Sequence, residues 1–164
     1  MAEYQTVESL TIKSFLSREE ISIIKTLVQS IEEPRWRRRD YLEPGRAING
    51  STCSYDFCGQ AQMSRDCRNV LKEYAPKFEN YVLAEIAINR YRIGDYIGTH
   101  KDRDYYRRNL VIALQELGDG LLIDDTNEFI QDVEGQGVLI EGIGPAHSVP
   151  PVKHQRYCLV YLYE

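Results

Sequence analysis

Apolar residues fall on two different periods along this chain. Ile21, Ile24, Leu27, Val28 and Ile31 recur at three- and four-residue spacing, the pattern of a helix with one buried face. Just before them, Ser17-Arg18-Glu19-Glu20 reads as a capping box, with Ser17 as N-cap and Glu20 reaching back; Pro34 closes the run. A second helix is predicted over about 64–75, with Val70, Leu71 and Tyr74 inward. After Pro76 the period changes. Short apolar or alternating runs occupy 82–91, 110–114, 121–123, 128–133, 138–141 and 157–163, broken by glycines at 94, 98, 118, 120, 135, 137, 142 and 144. Short strands at such spacing predict a β-barrel or sandwich. The expected architecture is mainly β (α+β): helices first, then a β-core that they buttress.

The segment between the helices breaks both patterns. RWRRRDYLEPGR, residues 35–46, carries five arginines with Trp36 and Tyr41, and NGSTCSYDFCG follows. It reads as a mobile arm and a hairpin-like stretch. The arginines either contact phosphates or form a solvated face paired with Glu32, Glu33, Asp40 and Glu43. The whole chain is 164 residues long, enough for one domain with a real core, so 1–164 is expected as a single domain. Residues 1–80 would form a helical buttress and lid, and 81–164 the core.

A net charge of −5 argues against a generally basic nucleic-acid coat but allows a local basic patch. No apolar run is long enough to span a bilayer, and the first fifteen residues lack a signal-peptide pattern, so a cytoplasmic location is expected. Cysteines 53, 58, 67 and 158 are then expected as free thiols. Cys53 and Cys58 have no second ligand pair at zinc spacing.

Chemistry concentrates in NRYRIGDYIGTHKDRD, residues 89–104. His100 and Asp102 are two apart, so on a strand they point to one side. There are three histidines, and His147 lies in GIGPAHSVPPV at a late strand, whereas His154 lies in a turn. If the strands roll into a barrel, His100, Asp102 and His147 can meet as two imidazoles and a carboxylate. That facial set holds Fe(II) and leaves open positions. Alone, H-x-D is also compatible with a polar pair at a strand end. Arg156, nine residues after His147, opens an apolar strand and needs an anionic partner. A dicarboxylate cosubstrate would supply one, as would Asp124 or Asp125.

From about residue 82 onward the sequence resembles the Fe(II)- and 2-oxoglutarate-dependent dioxygenases. It carries H-x-D, then a histidine some forty residues on, then an arginine near the last strand. The resemblance implies a double-stranded β-helix (jelly-roll) with the N-terminal helices packed on one sheet. It also implies Fe(II), 2-oxoglutarate and O₂ as cofactor and cosubstrates, with His100, Asp102 and His147 as metal ligands.

Within that superfamily, Asn89, Tyr91, Gly94, Ile97, His100, Asp102 and Asp104 resemble the AlkB-type dealkylases. That likeness implies oxidative dealkylation of an N-alkylated base, single-stranded or flipped. Asn89, Tyr91 and Arg156 would hold 2-oxoglutarate, and Asp104 would lie near the base. SYDFCG (54–59) resembles an aromatic lid hairpin with Tyr55 stacking on a base, and Arg37, Arg38 and Arg103 would contact phosphates. Cys158 and Leu162 stand where the dealkylases place an asparagine and a second arginine. The short His147-to-Arg156 spacing is closer to the wider hydroxylases. A hydroxylase of a small molecule, a protein side chain or a non-alkylated nucleobase is therefore the alternative. A catalytically inactive jelly-roll binding module is a third reading.

Overall fold

The computed structural model describes residues 9–42, 51–102 and 108–164. The capping box forms as its sequence predicts. Ser17 Oγ accepts from the Glu20 amide, Glu20 Oε1 accepts from the Ser17 amide, and helix α1 (Arg18–Gln29) follows. Ile21, Ile24 and Val28 are buried on its inner face. Pro34 then stands in a single 3₁₀ turn (Glu33–Arg35). Helix α2 (Arg65–Glu73) is capped by Ser64 and buries Cys67 and Leu71, while Val70 and Tyr74 are only half-buried.

Eleven strands are present among the described residues. They are β1 (Ser9–Ser14), β2 (Arg37–Tyr41), β3 (Cys53–Gly59), β4 (Leu83–Tyr91), β5 (Tyr96–His100) and β6 (Arg108–Ala113). Then come β7 (Gly120–Ile123), β8 (Glu128–Gln131), β9 (Gln136–Glu141), β10 (His147–Val149) and β11 (Arg156–Tyr163). They pair antiparallel in the order β1-β9-β6-β11-β4-β3-β5-β10-β7-β8, with β2 added on β3. Val138 and Ile140 on β9 pack with Leu121 and Ile123 on β7 and Ile130 on β8. Strands far apart in the sheet order thus meet, so the sheet is curled into a jelly-roll.

Two differences from the sequence expectation are large. The first eighty residues supply three strands as well as both helices. Residues 37–41 form strand β2 rather than a mobile arm, and 53–59 form strand β3, which pairs antiparallel with β2 as the second arm of a hairpin-like pair and also joins β4 and β5.

Side-chain alternation on β11 explains how one sheet makes both a core and a pocket. Tyr157, Leu159, Tyr161 and Tyr163 face the helices, and Arg156, Cys158, Val160 and Leu162 line a cavity on the other side. The tyrosines also fasten the layers: the Tyr161 hydroxyl donates to the Leu71 carbonyl and the Tyr163 hydroxyl to the Pro76 carbonyl. The sheet's second face is thereby left free for chemistry. Ile24 is fully buried in the helix-side core, whereas Ile23 next to it is half exposed. Ile24→Ala should lower unfolding free energy by about 2–5 kcal/mol in urea titration, and Ile23→Ala by less than about 0.5 kcal/mol.

Candidate metal centre

His100 ends β5 and His147 begins β10, and the antiparallel register makes them direct cross-strand partners. Their ring centroids lie 4.4 Å apart. Asp102, two residues after His100, brings Oδ1 to 3.3 Å from His147 Nε2 and 3.7 Å from His100 Nε2. One donor atom from each of the three residues lies within 4.8 Å of the others. Gly98 lets β5 pass closely: a Cβ there would meet Ser51 Oγ at 2.5 Å and the Thr52 carbonyl at 3.1 Å.

The backbone fixes which ring nitrogens face inward. His100 Nδ1 is 2.9 Å from the Gly98 carbonyl, and His147 Nδ1 is 2.9 Å from the Pro145 carbonyl. A carbonyl only accepts, so both Nδ1 atoms carry hydrogen, and both Nε2 atoms, the nitrogens that would ligate a metal, are turned toward Asp102. This is how metal-binding histidines are held by their surroundings.

The electrostatics agree. Burial and the neighbouring His147 lower the His100 pKa. Burial also opposes a charge on His147, but Asp102 outweighs it and raises that pKa. Asp102 stays ionised: burial disfavours its charge, and hydrogen bonds from His147 and Asn109 more than compensate. Asp124 acts on both rings, and its Oδ2 is buried without a hydrogen-bond partner. Asp102 and Asp124 beside the two imidazoles give the site acidic groups whose charge a divalent cation would balance. The donor set, two nitrogens and one oxygen, fits ferrous iron with open positions.

The centre opens into a cavity of about 170 Å³. Ile97, Val111, Leu121, Ile140, Val149, Val160 and Leu162 give it apolar walls. Leu162 pairs across strands with Asn109, which touches Asp102, so this part of β11 lies beside the metal ligands. Six residues away along the strand, Arg156 marks the opposite end with Tyr91, Asn89, Cys158 and Tyr55. A larger surface cleft of about 380 Å³, bordered by Lys25, Ile93 and His154, contains none of the three ligands.

Several predicted site residues are placed differently from expectation. Arg156 is buried and its partner is Asp132, through Nε at 2.7 Å and Nη2 at 3.1 Å, rather than Asp124 or Asp125. Tyr55 is 3% exposed and stacks on Tyr91 at 5.6 Å, so it cannot present a free face to a base. Burial pushes its phenol pKa up to about 12, and the hydroxyl accepts from Arg39. Arg38 is not free for phosphate: it makes two 2.7 Å hydrogen bonds to Asp95 and also pairs with Asp56 and Asp40. Arg39 lies 3.6 Å over Phe57. Arg37 is exposed and donates to the Pro34 carbonyl. Glu33 pairs with Arg90, not with the arginine run. Arg108 pairs with Glu141 and covers Tyr81. Arg103 and Asp104 lie outside the described residues. None of the four cysteines forms a disulfide, and all four are buried.

No protein-family model matches the chain, and no curated protein does. Solved structures do. A prolyl-4-hydroxylase from Pseudomonas putida superposes with a TM-score of 0.65 at 16% identity, over 96% of this chain and 93% of that one. The viral collagen prolyl hydroxylase of Paramecium Bursaria Chlorella virus-1, solved with 2-oxoglutarate, gives 0.56 at 16% identity, over 94% of both chains. The non-haem α-ketoglutarate-dependent carbocyclase SnoK from nogalamycin biosynthesis gives 0.66 at 11% identity, over 95% of this chain and 79% of that one. The fold is that of the 2-oxoglutarate–Fe(II) oxygenases. Among the described residues no helix is long and apolar enough to cross a membrane.

Removing either ring should remove the metal. His100→Ala and His147→Ala should each weaken anaerobic Mn(II) or Fe(II) binding by more than about 100-fold in calorimetric titration. His154→Ala, on the exposed turn, should leave it unchanged.

Proposed function

We propose that the protein is an Fe(II)- and 2-oxoglutarate-dependent oxygenase that hydroxylates a protein side chain or a small molecule. The observation that carries this reading is the pair of histidines with Nδ1 tied to backbone carbonyls and Nε2 aimed at Asp102, at one end of a cavity that ends on Arg156. When iron and 2-oxoglutarate are bound, the chemistry they supply is O₂-driven hydroxylation of a C–H bond, with 2-oxoglutarate oxidised to succinate and CO₂.

The chain's own groups do the rest. His100, His147 and Asp102 occupy one face of the metal. Arg156 offers N–H donors to the distal carboxylate of 2-oxoglutarate, and Asn89 and Tyr91 offer an amide and a phenol along the same wall. Val111, Ile140, Val160 and Leu162 keep water from the reacting carbon. Asn109 holds Asp102 in its ionised, ligating form.

The choice of substrate class is supported by where the described residues fall. The dealkylase reading rested on a base-stacking Tyr55 and on phosphate-binding arginines. Tyr55 is part of the cavity wall and Arg38 is locked into carboxylates. The structural neighbours named above are prolyl hydroxylases and a carbocyclase from nogalamycin biosynthesis. Those observations favour a peptide or small-molecule hydroxylase.

The test is succinate formation with Fe(II), 2-oxoglutarate and O₂, run against proline-containing peptides, small cyclic metabolites and methylated single-stranded oligonucleotides. Coupled turnover is expected with a peptide or small molecule. Demethylation of the oligonucleotide would return the site to nucleobase chemistry, and absence of iron-dependent succinate would refute the oxygenase reading.

A further inference from the structure

Arg156 does not meet its buried position alone. Asp132, just past β8, grips the guanidinium on its Nε–Nη2 edge, and the two side chains are 2% and 6% exposed. Gln115 completes the arrangement. Its Nε2 donates to Asp132 Oδ2 at 3.2 Å, and its Oε1 accepts from the Tyr157 amide at 2.7 Å. The carboxylate is thus anchored to the strand that carries Arg156.

With that edge occupied, the guanidinium is left with its Nη1 side for any ligand. Nη1 lies 4.0 Å from Cys158 Sγ, a cavity-lining atom, and the guanidinium sits over the Tyr91 ring at 4.9 Å. An arginine on a flexible stem would otherwise sample many orientations, and a planar fork recognises a carboxylate only when its plane is fixed. Arg156 has one orientation because its other edge is already bonded.

We propose that Asp132, steadied by Gln115, is a positioning residue for cosubstrate binding: it holds Arg156 with the Nη1 edge turned to the distal carboxylate of 2-oxoglutarate. The inference rests on the oxygenase reading above. It also makes a claim about sign. Charge alone says that removing a carboxylate near a dianion's site tightens the dianion. Positioning says the opposite, because the freed guanidinium turns away.

The test is calorimetric binding of 2-oxoglutarate and of 2-oxobutyrate to the Mn(II)-loaded protein without O₂. The second ligand keeps the 2-oxo acid head and lacks the distal carboxylate. Asp132→Asn keeps the shape but sets an N–H against the guanidinium. It should weaken 2-oxoglutarate at least about tenfold, and leave 2-oxobutyrate and Mn(II) affinities unchanged. Gln115→Leu leaves every charge in place and should weaken 2-oxoglutarate about threefold. If Asp132→Asn does not fold, the Gln115 variant decides by the same ratio of the two ligands. Unchanged or tighter 2-oxoglutarate binding in a folded variant overturns the positioning role and leaves the oxygenase reading standing. A wild-type protein that binds the two ligands equally overturns that reading itself, and this proposal with it.

Discussion

The register between β5 and β10 is the constraint on which the centre depends. Side chains alternate across a strand, so a slip of one residue sends every group to the other face. In the observed register His100 faces His147, and Asp102 falls on their side. One step away, the pocket would keep one imidazole and lose the other. The register is held on both flanks. β3 pairs with β5 through Cys53 and Ile97, and β7 pairs with β10 through Ile123 and His147. The apolar residues on those strands are buried on the cavity side, so the same burial that closes the jelly-roll sets the ligand geometry.

Charge was the hardest feature to interpret from sequence. RWRRR suggests a phosphate-binding arm when its surroundings are unknown. In the structure Arg38 of that run enters an ion network with Arg90 and Arg92, while Arg35 and Arg37 donate to backbone carbonyls and Arg39 to the Tyr55 hydroxyl. Asp56 is 1% exposed and accepts from Arg38, Arg90 and Arg92, while Asp95 takes Arg38. These contacts tie β2, β3, β4 and the β4–β5 turn together. A buried carboxylate with several guanidinium partners is a structural junction, because leaving the Asp56 charge unpaired would cost several kcal/mol, about 3–5. Asp95 keeps its pKa low: burial raises it, and Arg38 and Arg92 bring it down further. That charge is therefore present throughout the neutral range.

The parts of the fold with local signatures were legible. The capping box at Ser17, the periodic apolar face of α1 and the runs that became β4, β6, β9 and β11 need only neighbours in sequence to declare themselves. The clustering of His100, Asp102 and His147 was legible because their order along the chain matched a known pattern. β2 and β3 were not, because β2 is a charged, mostly exposed strand, and Asp56 at the centre of β3 is buried by pairing with arginines from other elements rather than by apolar character. Asp132 was missed for the same reason. It follows Phe129 and Ile130 in a short apolar run and resembles any turn carboxylate until Arg156, twenty-four residues later, is folded against it. The signal that could have pointed to it was Arg156 itself, whose burial demanded an acid somewhere.

The central claim is that one ferrous ion sits on His100, Asp102 and His147 with positions left open. X-ray absorption at the iron edge of the anaerobic Fe(II)-loaded protein, before and after 2-oxoglutarate, tests it directly. The account predicts two imidazole nitrogens and otherwise oxygen ligands, with further oxygen ligation ordered by 2-oxoglutarate. Sulfur in the coordination shell, or iron bound without histidine, would contradict it.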